Sequence, residues 1–281
     1  MDSSSPLTLR WSAYTDIGRL RKNNEDSFLG LSLDAIEVQY LGKIGDASDI
    51  SKDYVFAVSD GMGGAMAGEF ASRIAVEKIT KMLPSYLNQL SKKMANSDHA
   101  PEDDSAHQLL IALFHEIHRA LLFLSASYEE CCGMGTTLTL CWVRREKLHF
   151  AHIGDSRLYH LRKKGGISQI SEDDTHAGWL FRQGKMSEYE LKNHPCRNLL
   201  QKVLGADHQF VTPQVGTVDY CLGDRFLLCS DGVTDGLFDA QLLEILTEST
   251  KKSPAQHLVE EAVERSGRDN ATAMVIEVIA L

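Results

Sequence analysis

The chain alternates between short apolar runs that have the periodicity of strands and longer runs that have the periodicity of helices. Two strands are predicted near the N-terminus, in SSPLTLRWSAYTDIG and DSFLGLSL, on either side of the loop RLRKNNE. The run DYVFAVS is rich in β-branched and aromatic residues, and we interpret it as a buried strand. The second half is predicted to be mostly strand, from TTLTLCWV and LHFAHIG to DRFLLCS and the closing ATAMVIEVIA.

Apolar positions change to a spacing of three and four residues between Gly68 and Leu83, which predicts a helix with one buried face. A second helix is predicted over about Ala106–Ser125, and another near 240–265. The polar stretch LSKKMANSDHAPEDDS, between the first two helices, is predicted to be a mobile surface connection. Residues 174–204 are polar and helical, and they interrupt the strands.

Runs of strands with helices inserted between them favour an α+β fold in one domain spanning residues 1–281. The proportion of hydrophobic residues, 43%, is ordinary for a globular domain. The longest apolar runs are too short to span a bilayer, and the N-terminus lacks a secretory signal, so no membrane association is expected. Six Cys without a Cys-x-x-Cys pair favour reduced thiols in the cytoplasm. The net charge of −10 disfavours nonspecific nucleic-acid binding, and a monomer is expected.

Acidic residues stand where several apolar runs end. Two runs far apart in the chain end in the same tripeptide, Ser-Asp-Gly, which contains Asp60 in one case and Asp231 in the other. Other acids occupy similar positions, namely Glu25, Asp26, Asp155 and Asp269. If these strand ends converge, the carboxylates repel one another, and a hard divalent cation with oxygen ligands relieves the repulsion. The motifs lack His and Cys, which favours Mg²⁺ or Mn²⁺ over Zn²⁺.

A simpler interpretation of each acid is a turn, because Asp-Gly is a very common turn dipeptide. Spacing alone leaves a metal site and a set of unrelated turns as equally good interpretations.

Seven motifs occur in the order found in the metal-dependent protein phosphatases, the PPM or type 2C family, and the sequence resembles that family from about Thr8 to the C-terminus. The motifs are Arg21 with NNED, SDGMGG with AGE, GMGTT, GDSR, HPCRN, SDGVTD and RDNAT. The resemblance is to the compact bacterial branch. It implies a central sandwich of two antiparallel β-sheets flanked by α-helices (α-β-β-α layers), with a helical flap near the metal site at about 174–204.

The resemblance also implies a binuclear Mg²⁺ or Mn²⁺ centre. Asp60 matches the carboxylate that bridges the two cations, and the carbonyl of Gly61 matches a ligand of one of them. Asp231 and Asp269 match the carboxylates that hold the other cation. Two cations about 3.5–4 Å apart share a water molecule, lower its pKa and direct it at phosphorus.

Four further residues match peripheral parts of this site. Glu25 and Asp26 match acids that reach a metal mainly through water, and Asp155 matches a ligand of the third, weaker metal of bacterial members. Arg21 matches the phosphate-binding arginine, whose fork of N–H donors suits phosphate oxygens.

Three positions depart from the family pattern. Met62 stands where eukaryotic members often carry His, so no general acid is assigned. Ala65 replaces the His of the family's Gly-Gly-His. Asp174, at the start of the flap, stands where bacterial members usually carry His, which puts substrate binding rather than metal binding in question.

Neighbouring residues of the motifs are assigned supporting roles. Arg157 and Asn270 are expected to orient the adjacent acids rather than to contact substrate. Trp179, Phe181 and the RQGKM that follows are interpreted as a lid over the metals, although a helix pair that simply packs on the sandwich explains them almost as well.

The sequence therefore predicts a metal-dependent protein serine/threonine phosphatase that hydrolyses phosphoserine and phosphothreonine with a metal-activated water. Its expected partners are a phosphorylated protein substrate and, from the family, a Ser/Thr kinase that acts on the same targets. The alternative is a catalytically silent, phosphoprotein-binding regulator of the same fold. The intact Asp60, Asp231 and Asp269 count against this alternative.

Overall fold

The structure is a computed structural model that describes residues 7–34, 37–47, 49, 51–63, 66–96, 102–144, 147–206 and 210–280. Ala65, residues 145–146 and residues 97–101 of the predicted polar connection lie outside the described residues.

Strands and helices are numbered in chain order. The strands are β1 (Leu7–Asp16), β2 (Asp26–Leu33), β3 (Val38–Tyr40), β4 (Ile44–Asp46), β5 (Asp53–Met62), β6 (Gly135–Thr136), β7 (Leu138–Arg144), β8 (Lys147–Ile153), β9 (Arg157–Leu161), β10 (Ile167–Gln169), β11 (Leu204–Gly205), β12 (Gln214–Asp219), β13 (Arg225–Cys229) and β14 (Ala271–Ala280). The helices are α1 (Ala67–Asn96), α2 (Glu102–Ser127), α3 (His176–Arg182), α4 (Glu188–Asn193), α5 (Asp231–Gly236), α6 (Asp239–Thr247) and α7 (Pro254–Arg265).

The strands form two antiparallel sheets. The first sheet has the order β10-β9-β13-β14-β1-β4. The second has the order β11-β6-β5-β7-β8-β12, with β2 paired to β5 and β3 paired to β2. In the first sheet, the N-terminal strand β1 pairs along its full length with the C-terminal strand β14, from Leu7 opposite Ala280 to Asp16 opposite Ala271.

The two sheets pack face to face, and helices cover both outer faces. Strand β5 shows why its run is continuously apolar: Tyr54, Phe56 and Val58 enter the core between the sheets, whereas Val55 and Ala57 enter the core under α1 and α2. A strand buried on both faces needs apolar residues at every position. Helices α5, α6 and α7 pack on the other sheet around residues of β13 and β14. The α-β-β-α sandwich predicted from the sequence is confirmed.

The first helix is longer than predicted. We expected it to end near Leu83, before Pro84, but α1 continues through Pro84 to Asn96. Ile79, Leu83 and Leu87 are all buried at four-residue spacing. Their burial on both sides of Pro84 offsets the roughly 3 kcal/mol that an interior proline costs a helix. Residues 90–96 and 102–105 of the predicted surface connection are therefore helical.

The helix predicted near 240–265 is instead two helices, α6 and α7. The hydroxyl of Ser253 accepts a hydrogen bond from the backbone N–H of Gln256, and Pro254 occupies the first turn. A serine N-cap followed by proline is a strong start signal, so a new helix begins there.

Helix α2 is long and apolar enough, by length and composition alone, to cross a membrane. Its apolar side lies in the core under the second sheet, where Leu110, Leu113, Phe114, Ile117 and Leu121 are all fully buried. Core packing therefore accounts for the apolar character of this helix.

We predict that His152 makes stability fall at acidic pH. The ring is fully buried on β8, with Nδ1 2.8 Å from Oγ1 of Thr139 and Nε2 3.1 Å from the carbonyl oxygen of Gly154. Burial lowers the pKa of His152 below its ordinary value of 6.5. The unfolded chain then binds more protons, so stability is lost as pH falls below that ordinary value, by about 1 kcal/mol per pH unit.

Urea unfolding in EDTA at pH 7.5 and pH 5.5 measures this effect. The His152→Gln variant should be less stable at pH 7.5 but should lose about 1 kcal/mol less than the parent between the two pH values. The His257→Gln variant is the control and should keep the parental pH dependence. Parallel pH profiles for the parent and His152→Gln would contradict the assignment.

Candidate active site

One cavity of about 300 Å³ collects the ends of strands from both sheets, and we call it the acidic cavity. Asp60 lies near the end of β5, Asp155 precedes β9, Asp231 follows β13 and Asp269 precedes β14. Every predicted site residue except Asp26 lines this cavity, namely Arg21, Glu25, Asp60, Gly61, Asp155, Asp231 and Asp269. The antiparallel pairing brings together acids that are separated by up to 244 positions in the chain.

Asp26 does not line the acidic cavity but lies opposite Asp60 in the pairing of β2 with β5. Its Oδ2 accepts a hydrogen bond from the hydroxyl of Ser230 at 2.7 Å. Its Oδ1 is buried and accepts no hydrogen bond from any residue that the structure describes. Burial raises the pKa of Asp26 to about 6, and the charges of Asp269 and Glu25 act in the same direction.

The backbone of Asp60 is held by two threonines that sequence analysis did not single out. The backbone N–H of Asp60 donates to Oγ1 of Thr137 at 3.0 Å. Its carbonyl accepts from the hydroxyl of Thr136 and from the backbone N–H of Thr137, each at 2.8 Å. These contacts fix where the Asp60 side chain leaves the strand. The Thr-Thr pair was visible in the motif GMGTT, but its role depends on the β5–β6 pairing.

Gly61 is required by a close approach of two backbone segments. A Cβ at this position would lie 2.0 Å from the carbonyl oxygen of Gly68, near the start of α1. Its backbone N–H donates to the carbonyl of Glu25 at 3.1 Å. Any side chain at Gly61 would push α1 away from the cavity.

The carboxylates in the cavity destabilise one another's charged forms. Burial raises the pKa of Asp60 well above its usual range, and the charges of Asp26 and Asp231 raise it further. Burial also raises the pKa of Asp231, with Asp155 as its strongest acidic neighbour. For Asp155, burial and the charge of Asp173 raise the pKa to about 7. The site therefore has an excess of negative charge that a cation would neutralise.

Arg21 lies at the edge of the cavity, where its Nη2 donates to Oδ2 of Asp269 at 2.5 Å. The loop that carries Arg21 is held by Asn270, whose side-chain amide donates to the carbonyls of Ile17 and Asn23 and accepts from the backbone N–H of Glu25. We expected Asn270 to orient Asp269. Only its backbone N–H does so, and its side chain positions the Arg21–Glu25 loop instead.

Arg157 does not orient Asp155, contrary to the prediction. Its guanidinium donates to both carboxylate oxygens of Asp173, at 2.7–3.2 Å, and to the hydroxyl of Tyr159. The bidentate geometry with Asp173 satisfies the fork of donors better than a single contact with the adjacent acid would. Arg157 therefore anchors the segment that leads into the flap.

Asp174 closes the base of the flap. Its Oδ2 accepts from the backbone N–H of Gly154 at 3.1 Å, and its Oδ1 accepts from Nζ of Lys202 at 2.7 Å. Its backbone carbonyl accepts from the N–H of Gln201. One carboxylate thus joins the two ends of the flap to the residue before Asp155. A neutral imidazole could not accept both hydrogen bonds, because only one of its two ring nitrogens is an acceptor.

The flap contributes Asn198 and Leu200 to the lining of the acidic cavity, but not Trp179 or Phe181. The ring of Trp179 stacks on His176 with centroids 5.9 Å apart, and Nζ of Lys185 lies 4.8 Å from the ring centroid. The interpretation of Trp179 and Phe181 as a lid is therefore wrong for the described structure. Trp179 contacts other residues of the flap, Phe181 is exposed, and only the C-terminal part of the flap reaches the cavity.

The donor atoms of the cavity suit a hard divalent cation. They are carboxylate oxygens, and Oδ1 of Asp231, like Oδ1 of Asp26, is buried without a hydrogen-bond partner among the described residues. No three Asp, Glu, His or Cys side chains in the described part of the chain form a closed coordination shell. Rotation of the carboxylate side chains could bring their oxygens together around a cation.

Known proteins resemble the chain in both sequence and structure. The family model for protein phosphatase 2C matches residues 44–266. The serine/threonine protein phosphatase PstP of Mycobacterium tuberculosis is 33% identical over 276 residues, which are 97% of this chain and 46% of PstP. The chain therefore spans about half the length of that relative.

Two further comparisons cover nearly complete chains. The serine/threonine phosphatase stp of Listeria innocua is 30% identical over 264 residues, 94% of this chain and 93% of stp. The crystal structure of the catalytic domain of PstP, in complex with two manganese ions, superimposes with a TM-score of 0.71 at 31% identity. The superposition covers 97% of this chain and 99% of that domain.

We predict that Asp174 limits local opening of the flap. Replacement by Ala removes the side-chain contacts with Gly154 and Lys202, each worth about 1 kcal/mol, so the open population should rise about thirtyfold. Chymotrypsin under native conditions measures the opening, because Trp179, Phe181 and Tyr189 are exposed sites within the flap.

The matched control is Glu172→Ala, which removes only an exposed ion pair with Arg182. This variant should be cleaved at nearly the parental rate, since exposed pairs contribute little. Equal cleavage rates for Asp174→Ala and Glu172→Ala would show that Asp174 does not hold the flap.

Proposed function

The chain belongs to the protein phosphatase 2C family, and we propose that it hydrolyses phosphoserine and phosphothreonine in proteins with the help of divalent cations bound in the acidic cavity. The observation that carries the proposal is the convergence of Asp60, Asp155, Asp231 and Asp269 on one cavity that also contains Arg21. An enzyme for phosphate esters needs both a place for cations and a donor for phosphate oxygens. This cavity offers both.

Asp60, Asp231 and Asp269, with Gly61 and Asp155 beside them, are the residues that would hold Mn²⁺ or Mg²⁺. Two such cations supply an activated water and neutralise charge on the phosphate. The contacts of Thr136 and Thr137 with the backbone of Asp60 keep that carboxylate in place, and the close packing of Gly61 on Gly68 does the same for the adjacent turn. The chain thus contributes a prearranged set of oxygen donors.

Arg21 is assigned to the phosphate. A guanidinium has five N–H donors, and only the contact of Nη2 with Asp269 is made in the described structure. The side chain is 48% exposed at the cavity edge, so donors are left for the phosphate oxygens of a substrate. Its contact with Asp269 also links the phosphate position to one of the cation ligands.

The substrate class requires a partner activity. Phosphoserine and phosphothreonine are made by protein kinases, so a Ser/Thr kinase that acts on the same proteins must supply the substrate. The similarity to serine/threonine phosphatases of Mycobacterium tuberculosis and Listeria innocua supports the same assignment.

A silent phosphoprotein-binding regulator is the second candidate. Arg21 alone would suit such a role, but a binding module gains nothing from Asp60 and Asp231, whose mutual repulsion destabilises the fold unless a cation is bound. The carboxylates therefore favour the enzyme.

Hydrolysis of p-nitrophenyl phosphate and of a phosphothreonine peptide tests the proposed function. Activity should disappear in EDTA and return when Mn²⁺ or Mg²⁺ is restored in excess. Folded protein that binds Mn²⁺ but hydrolyses neither compound would support the silent regulator instead.

We predict that Asp231→Asn abolishes most of the activity, because the amide lacks the charge that a cation ligand requires. The expected loss is at least the roughly 10–100-fold seen when a residue that supports a metal ligand is removed. The thermal shift caused by Mn²⁺ should shrink in parallel. Asp219→Asn, on an exposed position of β12, is the control and should retain both activity and the Mn²⁺-dependent shift.

Arg21→Ala should separate phosphate binding from cation binding. We expect a rise in KM for p-nitrophenyl phosphate of roughly tenfold or more, since a charge-assisted hydrogen bond is lost. The thermal shift with Mn²⁺ should persist, because Arg21 donates to Asp269 but supplies no ligand. Arg162→Ala, at the far end of β9, is the control and should retain the parental kcat/KM. An unchanged kcat/KM for Arg21→Ala would show that Arg21 does not bind the phosphate.

A further inference from the structure

Three cations stand on the two loops that form one edge of the acidic cavity. Arg19 and Lys22 lie in the loop between β1 and β2, and Arg268 lies in the turn between α7 and β14. We call these three residues the cationic rim. All three are exposed, and they flank the cavity residues Arg21 and Asp269 in sequence.

The two loops are joined by a ladder of contacts, so the rim residues are close together. The backbone N–H of Arg19 donates to the carbonyl of Gly267 at 2.7 Å. Arg21 donates to Asp269, and the side chain of Asn270 donates to the carbonyl of Asn23 at 3.0 Å. These three contacts hold the two loops next to each other. Arg268 lies in sequence between Gly267 and Asp269, the partners in the first two contacts.

The side chains of the cationic rim form no hydrogen bond or salt bridge with any residue in the ranges that the structure describes. Other basic residues of this chain are engaged, for example Arg157 with Asp173 and Arg197 with Asp235. The whole chain carries a net charge of −10. Three cations without a partner among the described residues therefore lie on the two loops beside the cavity of an acidic protein.

We propose that the cationic rim binds acidic residues next to the phosphorylated residue of the substrate, so that the preferred substrates are phosphoproteins whose phosphosite lies in an acidic segment. The inference rests on the proposed function, since it assigns the substrate class of the same cavity. Asp and Glu side chains that flank a phosphoserine or phosphothreonine seated at Arg21 would reach the rim within a residue or two along the peptide.

Electrostatics favours this reading of the rim. Exposed charges interact over about 10 Å at 0.1 M salt, a distance that covers two or three residues of an extended peptide. Complementary charge at the rim of a binding site mainly raises the rate of encounter and the selectivity between partners. The acidic surface of the remaining chain would repel the same substrate, which directs it towards the rim.

A different role for the rim would be to balance the carboxylates of the cavity. Arg21 already makes the direct contact with those acids, and the rim side chains contact none of them among the described residues. A balancing role would change the hydrolysis of every phosphate ester equally. Recognition of acidic segments would change only substrates that carry acidic flanks, so the two roles can be separated.

The test compares three phosphothreonine peptides of equal length, with acidic, neutral or basic flanking residues, and p-nitrophenyl phosphate. The variant Arg19→Gln/Lys22→Gln/Arg268→Gln removes the three charges but retains side chains of similar polarity. The control Arg162→Gln/Lys164→Gln/Lys251→Gln removes three exposed charges from the β9–β10 turn and the connection before α7.

The parent should hydrolyse the acidic peptide with the highest kcat/KM at low salt. The rim variant should lose roughly five- to twentyfold on that peptide, mainly through KM, and the loss should vanish at about 0.5 M salt. Its activity on p-nitrophenyl phosphate should stay within about twofold of the parent, as should the control variant on every substrate.

Two results would overturn the inference: a parent that does not prefer acidic flanks, or a rim variant that loses the same factor on all four substrates. Failure of the proposed function is distinct from both, because a parent without phosphatase activity would not hydrolyse p-nitrophenyl phosphate either.

Discussion

Repulsion between buried carboxylates is the constraint around which this fold is arranged. Asp60, Asp155 and Asp231 each have a pKa raised by burial and by acidic neighbours. A protein keeps such an arrangement only when something offsets it, and oxygen donors of this kind are suited to a hard divalent cation. The strands supply the rigidity that holds the acids together, since both sheets end at the same cavity.

Hydrogen bonds from residues around the cavity hold the backbone of the site in place. The Thr136–Thr137 pair fixes the backbone of Asp60, and Asn270 fixes the loop of Arg21. On the opposite side, Asp174 ties both ends of the flap to Gly154, directly before Asp155. Asp174 and Gly154 therefore link the flap to Asp155, so a movement of the flap would also shift Asp155.

Sequence patterns predicted the layers and most of the site because these depend on local periodicity and on motifs. The continuous apolar run of β5 and the acids at strand ends could be read directly. The remaining features depend on contacts between distant residues. Burial of Leu87 beyond Pro84 lengthened α1, and the pairing of Arg157 with Asp173 displaced the expected contact with Asp155. The order of residues alone shows neither contact, because each depends on which partner lies within reach after folding.

Calorimetric titration of the protein with Mn²⁺ measures whether the carboxylates of the acidic cavity hold divalent cations. We expect about two ions to bind per chain, as in a binuclear hydrolytic site, and Asp60→Asn to weaken or abolish binding while Asp219→Asn leaves it unchanged. Saturating Mn²⁺ with no heat of binding, or equal binding by the parent and Asp60→Asn, would show that these carboxylates do not bind the cations.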